Sequence, residues 1–551
     1  MTISGNDIRM AKLLFPNITA TPEHYEGLFP QRGLTAGAKV TRLAPSPTGF
    51  IHLGNLYGAF VDERLAHQSE GVFFLRIEDT DEKRYVDGAV DVIISSLKFF
   101  GIDFDEGAGP DGDTGDYGPY HQSNRTDVYQ CFAKHLVERG CAYPCFLTEQ
   151  EISEIRQAQE KRKENPGIYG EWASGRDLTF EQVESRVRSG MPYVLRLKSA
   201  GAGGTIHVED GIRGTLAMPE NNQDVVLLKT NGVPTYHFAH VVDDHLMRTT
   251  HVVRGAEWLP SLPIHIELFK MLGFPLPVYC HTAQLMKLGE GGNKRKLSKR
   301  EDPELSLDYY RNEGYHPNAV REYLLTILNS DYEEWRRANP GKDAGEFPFA
   351  IEKMSTSGAL FDLDKLNDVS KDVLLGIPAE ELCGFMAGWA KEFRPEIAGL
   401  FEGNETYVGR ILDLGRSGSN PRKDLICAKQ IFEFIRYFFD SYFTAVDEPP
   451  PNVSKADASA ILKSYLDTYC HGDDQQQWFG KIREIGASLG YAAKPKDFKK
   501  NPDQYKGHVG DVSTVIRIAL VGRAQSPDLW EIQQILGEER VRQRIKNCVP
   551  A

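Results

Sequence analysis

"APSPTGFIHLGN", residues 44–55, decides how the chain is read. Pro45 and Pro47 fix φ and Thr48-Gly49 supplies a turn. His52-Leu53-Gly54-Asn55 then leads into an apolar pattern with helical spacing. So stiff a connection ahead of a helix holds something in place. A helix opening at Gly54-Asn55 offers unpaired backbone N–H groups and the positive end of its dipole to an anion, and Gly54 admits a ligand close to the backbone. His52 stands at that mouth, and taken alone it reads more readily as a turn or packing histidine than as a ligand-holding one.

Outward from this stretch the pattern is strand ("KVTRLA", 39–44), helix ("NLYGAFVDERLAHQSE", 55–70), strand ("GVFFLRIED", 71–79) and helix ("VDGAVDVIISSLKFF", 86–100). Such alternation implies a parallel sheet with right-handed crossovers. The Gly-, Asp- and Pro-rich residues 105–123 read as a surface loop, and a helix covers 124–140. A less regular portion follows, with a charged helix at 148–164 and strands near "YVLRLK" and "DVVLLK". The α/β pattern resumes at "THVVRG" (250–255), a helix through "SLPIHIELFKMLGF", and "VYCHTA" (278–283). Beyond about residue 305 amphipathic helices dominate.

The expected fold is therefore α/β: a Rossmann-type parallel-sheet catalytic domain with an inserted α/β subdomain, followed by all-α C-terminal domains. The expected boundaries are an N-terminal extension at 1–38, the first catalytic half at 39–123, the insertion at 124–223 and the second half at 224–304. A helical region at 305–420 and a helical domain at 421–551 complete the polypeptide.

The 551 residues, 41% hydrophobic and 26% charged, are too many for one core and typical of a globular protein. A net charge of −14 counts against indiscriminate nucleic-acid binding, because a polyanion is attracted by dense positive surface, but not against a shaped partner. Two basic clusters, 287–300 and 492–506, read either as phosphate contacts or as solvated loops. No apolar run is long enough to span a membrane, the N-terminus lacks a signal-peptide core, and the eight cysteines show no disulfide rhythm. The cytoplasm is the expected compartment.

No GxxxxGK[ST] loop occurs, and no GxGxxG run follows the first strand. In their place "KRKLSKR" (294–300) sets Lys296, Ser298, Lys299 and Arg300 in a glycine-flanked loop after the last α/β strand, able to close over a polyphosphate or to stand as an exposed basic loop. The order PSPTG–HLGN, "RIEDTD" (76–81) and KLSKR resembles the class I glutamyl-tRNA synthetases of bacterial type. HLGN stands for their HIGH motif and KLSKR for their KMSKS motif. Further matches are 224–246, 252–265 and 510–529.

The resemblance implies a glutamate–tRNA ligase that uses ATP with Mg²⁺, forms glutamyl-adenylate and charges tRNA(Glu), as a monomer without a membrane. By the same matching His52, Gly54, Asn55, Glu257, Trp258, Lys296, Ser298 and Lys299 hold ATP, with His52, Lys296 and Lys299 catalytic. Arg42, Ala44, Ser46, Glu78, Tyr236, His240 and Arg254 hold glutamate, Arg42 forking onto the carboxylate of its side chain. Arg76, Asp79 and Asp81 read as a salt-bridge network. His240 stands where the family pattern has Asn, which suggests an acid-sensitive glutamate affinity.

Of the family's four zinc ligands only Cys145 and Tyr169 remain, with Leu147 and Ala173 at the other two places, so no protein-bound zinc is expected. A glutaminyl-tRNA synthetase and a catalytically silent tRNA-binding paralogue are the alternatives. The glutaminyl relatives end in β-barrels. Arg422 and the aromatic stretch 432–443 are candidates for anticodon contact, or core.

Overall fold

The computed structural model describes residues 4–49, 51–81, 86–416 and 421–549, in two compact units: residues 1–309 with 321–362, and 310–320 with 363–551. In the first unit the order is α1 (Gly5–Leu14), α2 (Pro22–Leu28), β1 (Val40–Leu43), α3 (Leu53–His67), β2 (Val72–Leu75), α4 (Ala89–Phe99), β3 (Glu106–Gly107), α5 (Thr126–Glu138) and β4 (Ala142–Cys145). Then come α6 (Glu149–Arg162), α7 (Phe180–Arg188), β5 (Val194–Leu197), β6 (Thr205–Asp210), β7 (Gly214–Pro219), β8 (Val226–Leu228), α8 (Tyr236–Leu246), β9 (His251–Gly255), α9 (Leu262–Leu272) and β10 (Val278–Thr282). The last strands are β11 (Leu285–Leu288), β12 (Lys294–Lys296) and β13 (Ala359–Leu360).

β1, β2 and β3 are parallel, as are β9, β10 and β6. The two groups meet where Thr250 N–H donates to Val40 O at 2.9 Å and Val40 N–H donates to Thr250 Oγ1 at 2.8 Å. From that seam the polypeptide winds outward in both directions, to β2 and β3 on one side and to β10 on the other. Such a switch point leaves a crevice at the strands' carboxyl ends. β1 and β2 are buried almost throughout, as strands covered on both faces must be.

Three sequence expectations change. The stretch 105–123 is not only loop: Glu106-Gly107 pairs with Phe74-Leu75 as the sheet's third strand. The border at 223/224 is crossed in both directions. β6, expected in the insertion, lies beside β10, whereas β8, expected in the second catalytic half, pairs with β5 in the antiparallel sheet β4-β5-β8. The division near 305 falls instead after Asp362, with 310–320 belonging to the second unit.

The described part of the extension, 4–38, is folded. α1 packs on α5 and α7, Glu26 accepts from His245 and Arg248, and Arg32 donates to Met247 O. In the second unit one apolar cluster runs from Leu374 to Ile545 without a division at 420/421, a border that touches residues 417–420 outside the described ones. Among the described residues no strand follows Leu360, and no helix is long and apolar enough to cross a membrane.

Candidate active site

At the switch point lies a cavity of about 820 Å³ lined from β1 and its loop (Arg42, Ala44, Ser46), α3 (His52, Gly54, Asn55), the end of β2 (Glu78), the start of α8 (Tyr236), β9 and its loop (Arg254, Glu257, Trp258), and the basic hairpin (Lys296). Most residues named from the sequence are thus brought together, from widely separated segments, by the seam between β1 and β9.

His52 is the N-cap of α3. Its Nδ1 accepts from Asn55 N–H at 3.2 Å, and Asn55 Oδ1 accepts from His52 N–H at 3.1 Å, a reciprocal capping box. Since Nδ1 accepts, the neutral ring carries its proton on Nε2. Burial, with Lys296 nearby, pulls the His52 pKa down against Glu257, so the ring is neutral. A Cβ at Gly54 would lie 3.0 Å from the ring's Cε1 and Nδ1. The glycine is what lets the imidazole fold back over the helix entrance.

Arg42 is 4% exposed; its Nε donates to both oxygens of Asp244, at 3.0 and 3.3 Å. Asp244 also takes Arg76 Nη1 at 2.6 Å and, despite burial, is held well below the usual carboxylate range by Arg42, Arg76 and His240. Arg76 reaches Glu78 at 3.2 Å, and burial raises the Glu78 pKa. Asp79 accepts from Ser123 and His121. Arg76 and Asp79 are therefore network residues, while Asp81 lines the cavity.

Arg254 is fixed from two sides. Its Nε donates to His281 Nε2 at 3.0 Å, and His281 Nδ1–H donates to Asp210 Oδ2 at 2.6 Å. Its Nη1 donates to His265 Nδ1 at 3.0 Å, which forces His265 Nε2–H to donate onward to His237 Nδ1 at 3.0 Å. Arginine only donates, so every tautomer in this relay is set. The Arg254 Nη2 is buried without a hydrogen-bond partner. Tyr236 packs tilted against Trp258, ring centroids 4.6 Å apart and planes at 36°, and burial pushes its hydroxyl up to about 12.

Three expected residues lie elsewhere. His240 is fully buried behind the cavity wall: Nδ1 faces Asp244 Oδ2 at 3.0 Å and Nε2 accepts from Tyr279 Oη at 3.0 Å. Burial lowers its pKa to about 3, so the expected acid-sensitive contact with a ligand is corrected to a neutral support for Asp244. Ser298 and Lys299 follow β12, beyond the lining; Lys299 is exposed. Their loop is tied down by Asp302, which accepts from Arg295 at 2.6 and 2.8 Å and from Ser298 N–H at 2.8 Å. Asp302, Asp244, His265, His281 and Asp210 were not found from sequence. Their only signal is acidic or histidine residues inside apolar strands and helices.

Cys141 and Cys145 are buried around β4, and among the described residues no group of three or more His, Cys, Asp or Glu side chains is placed to hold a metal ion.

The family of tRNA synthetases class I (E and Q), catalytic domain, matches residues 39–368, and an anticodon binding domain family matches 497–549. The chain is 64% identical over 543 residues to the glutamate–tRNA ligase of Acetivibrio thermocellus, covering 98% of this chain and 99% of that one. It is 48% identical to the glutamate–tRNA ligase of Clostridium perfringens strain 13, over 97% and 99%. The crystal structure of a glutamate tRNA ligase from Elizabethkingia meningosepticum in complex with its amino acid superposes with a TM-score of 0.74 at 26% identity, over 93% of this chain and 99% of that chain. With the switch-point cavity between an HLGN helix entrance and a KLSKR hairpin, these matches show that the chain belongs to the glutamate–tRNA ligase family of class I tRNA synthetases.

Proposed function

We propose that this protein joins L-glutamate to ATP, taken as its Mg²⁺ complex, giving glutamyl-adenylate and pyrophosphate, and then passes the glutamyl group to the 3′-terminal ribose of tRNA(Glu). The observation that carries the reading is one cavity holding two buried arginines, Arg42 and Arg254, beside the amide-rich entrance of α3 and Lys296.

The amino acid's α-carboxylate attacks the α-phosphorus, so aligning two anions and stabilising added negative charge is the whole task. Arg254, held by His281 and His265, orients the α-carboxylate, and Glu78, at the end of β2, receives the ammonium. Arg42 receives the γ-carboxylate. With glutamine bound, that arginine would lack its counter-charge, so charge rather than shape separates the two. His52 Nε2–H and the first amides of α3 meet phosphate oxygens, and Glu257 and Trp258 sit by the ribose and base. Lys296 and Lys299 neutralise the departing pyrophosphate. The terminal ribose hydroxyl then attacks the acyl carbon and AMP leaves.

In the helical unit a polar cavity of about 770 Å³ is lined by Gln475, Gln476, Phe479, Arg483, Arg517 and Asp528 among others, with Arg483 4.6 Å over the Phe479 ring. Such a mix of π-faces, guanidinium groups and amides suits unstacked anticodon bases. It favours this place over Arg422, which pairs with Asp424, and over Phe432, Tyr437 and Phe438, which are core.

Charging purified tRNA(Glu) and tRNA(Gln) with glutamate or glutamine tests the reading. Glutamate on tRNA(Glu) and no glutamine on either is the expected result; glutamine charging, or none at all, would overturn it. Lys299→Ala should cost at least about a hundredfold in adenylate formation at unchanged melting temperature, the size expected for removing a charge from the transition state.

A further inference from the structure

Asp62, on the third turn of α3, is 1% exposed. Its backbone carbonyl oxygen accepts from Thr41 Oγ1 at 2.8 Å, which seats this turn of the helix on β1 next to Arg42. Its side chain lines the cavity together with Gly58 and Tyr57. Two polar atoms there are buried without a hydrogen-bond partner, Asp62 Oδ1 and Tyr57 Oη. One turn before Asp62, a Cβ on Gly58 would meet nothing within 4 Å, so this face of α3 opens on a hollow. Buried polar groups are almost always paired, and an orphan in a substrate cavity marks where a ligand completes the pairing.

We propose that Asp62 is a further substrate-binding residue of the amino-acid subsite, its Oδ1 edge meeting the γ-carboxylate that Arg42 receives. The proposal rests on the reading of this cavity as a glutamate site. Arg42 does not need Asp62 as a counter-ion, because Asp244 already holds its Nε edge. Burial pushes the Asp62 carboxyl well above the usual range, against the pull of Arg42, and the nearby Asp244 charge adds to the rise. The shift favours the protonated form, which donates O–H to a carboxylate oxygen, one of the stronger hydrogen bonds available to a side chain. The same group ionised would set a second buried negative charge against the ligand carboxylate.

The test is steady-state charging of tRNA(Glu) by the full-length protein, with glutamate and ATP varied separately, for wild type, Asp62→Leu and Asp62→Asn. Leucine keeps the volume and removes the donor, so the glutamate KM should rise at least about tenfold while the ATP KM stays within about twofold; asparagine, whose amide still donates, should return to within about threefold of wild type. A leucine variant with the wild-type glutamate KM, or an asparagine variant no better than leucine, would overturn the assignment. If thermal melting shows the leucine variant unfolded, infrared difference spectra decide. Glutamate should shift a protonated-carboxyl C=O band in wild type that Asp62→Asn lacks, and absence of that band in wild type would overturn the proposal. Failure of wild type to charge glutamate would instead overturn the functional reading.

Discussion

The exchange between His52 and Asn55 shows how much one residue can specify. The ring caps α3 through Nδ1 and thereby aims its Nε2 proton, but only while position 54 carries no Cβ. Gly54→Ala should therefore push the imidazole off the helix entrance and slow adenylate formation by about one to two orders of magnitude, with little change in the glutamate KM, as separate titrations of the two substrates would show. His52, Gly54 and Asn55 were legible in the sequence because a cap is a local arrangement of four residues. His240 was legible as a departure from the family pattern but not as a support. Its partners Asp244 and Tyr279 lie on another turn and another strand, and burial was invisible. With that ring neutral down to about pH 3, the glutamate KM of wild type and His240→Asn should follow the same pH profile between about pH 6 and 8, the reverse of what the sequence suggests.

At the scale of elements, the KLSKR segment begins at the last residue of β12, the outer arm of the antiparallel hairpin β11–β12, and continues into a loop fastened by Asp302 to Arg295, Ser298 and Lys287. Those ties set where Lys296 and Lys299 stand. Asp302→Asn removes the charge that three donors share, and the expected result is roughly a tenfold loss in ATP–pyrophosphate exchange with tRNA present, the glutamate KM being unaffected. The strands β1, β2, β9 and β10 were readable because each is a short apolar run between turn signals. β3 was not, because two residues carry no period. The hairpin β6–β7 shows a different limit: its alternation is visible in the sequence, but which sheet it joins depends on pairing with Tyr279, about 70 residues away.

For the whole molecule, buried and half-buried histidines make the fold sensitive to acid. Burial holds His237, His251 and His316 down to about 4, and His240 to about 3. In the unfolded state each titrates near 6.5. Between those values the unfolded state binds more protons, so stability is full above about pH 6.5 and falls as pH drops toward 4, each histidine adding about 1.4 kcal/mol per pH unit to the slope. Denaturant melts from about pH 7 to 4.5 should show that decline, and His251→Asn should make it shallower by about one proton's worth. The change from α/β to helical periodicity near 305 was legible in the sequence, but the grouping into two units was not. The true border was not, because 321–362 returns to the first unit through contacts between distant segments.

The seam between Val40 and Thr250 joins residues 210 apart. A ribosome adding about 10 residues per second needs roughly 20 s to go from one to the other. During that interval the first helix entrance emerges without the strand that completes its crevice, and a growing polypeptide has nowhere to bind an amino acid. Charging begins only once the second half is made, and until then the Val40 backbone on the far edge of β1 lacks its Thr250 partner.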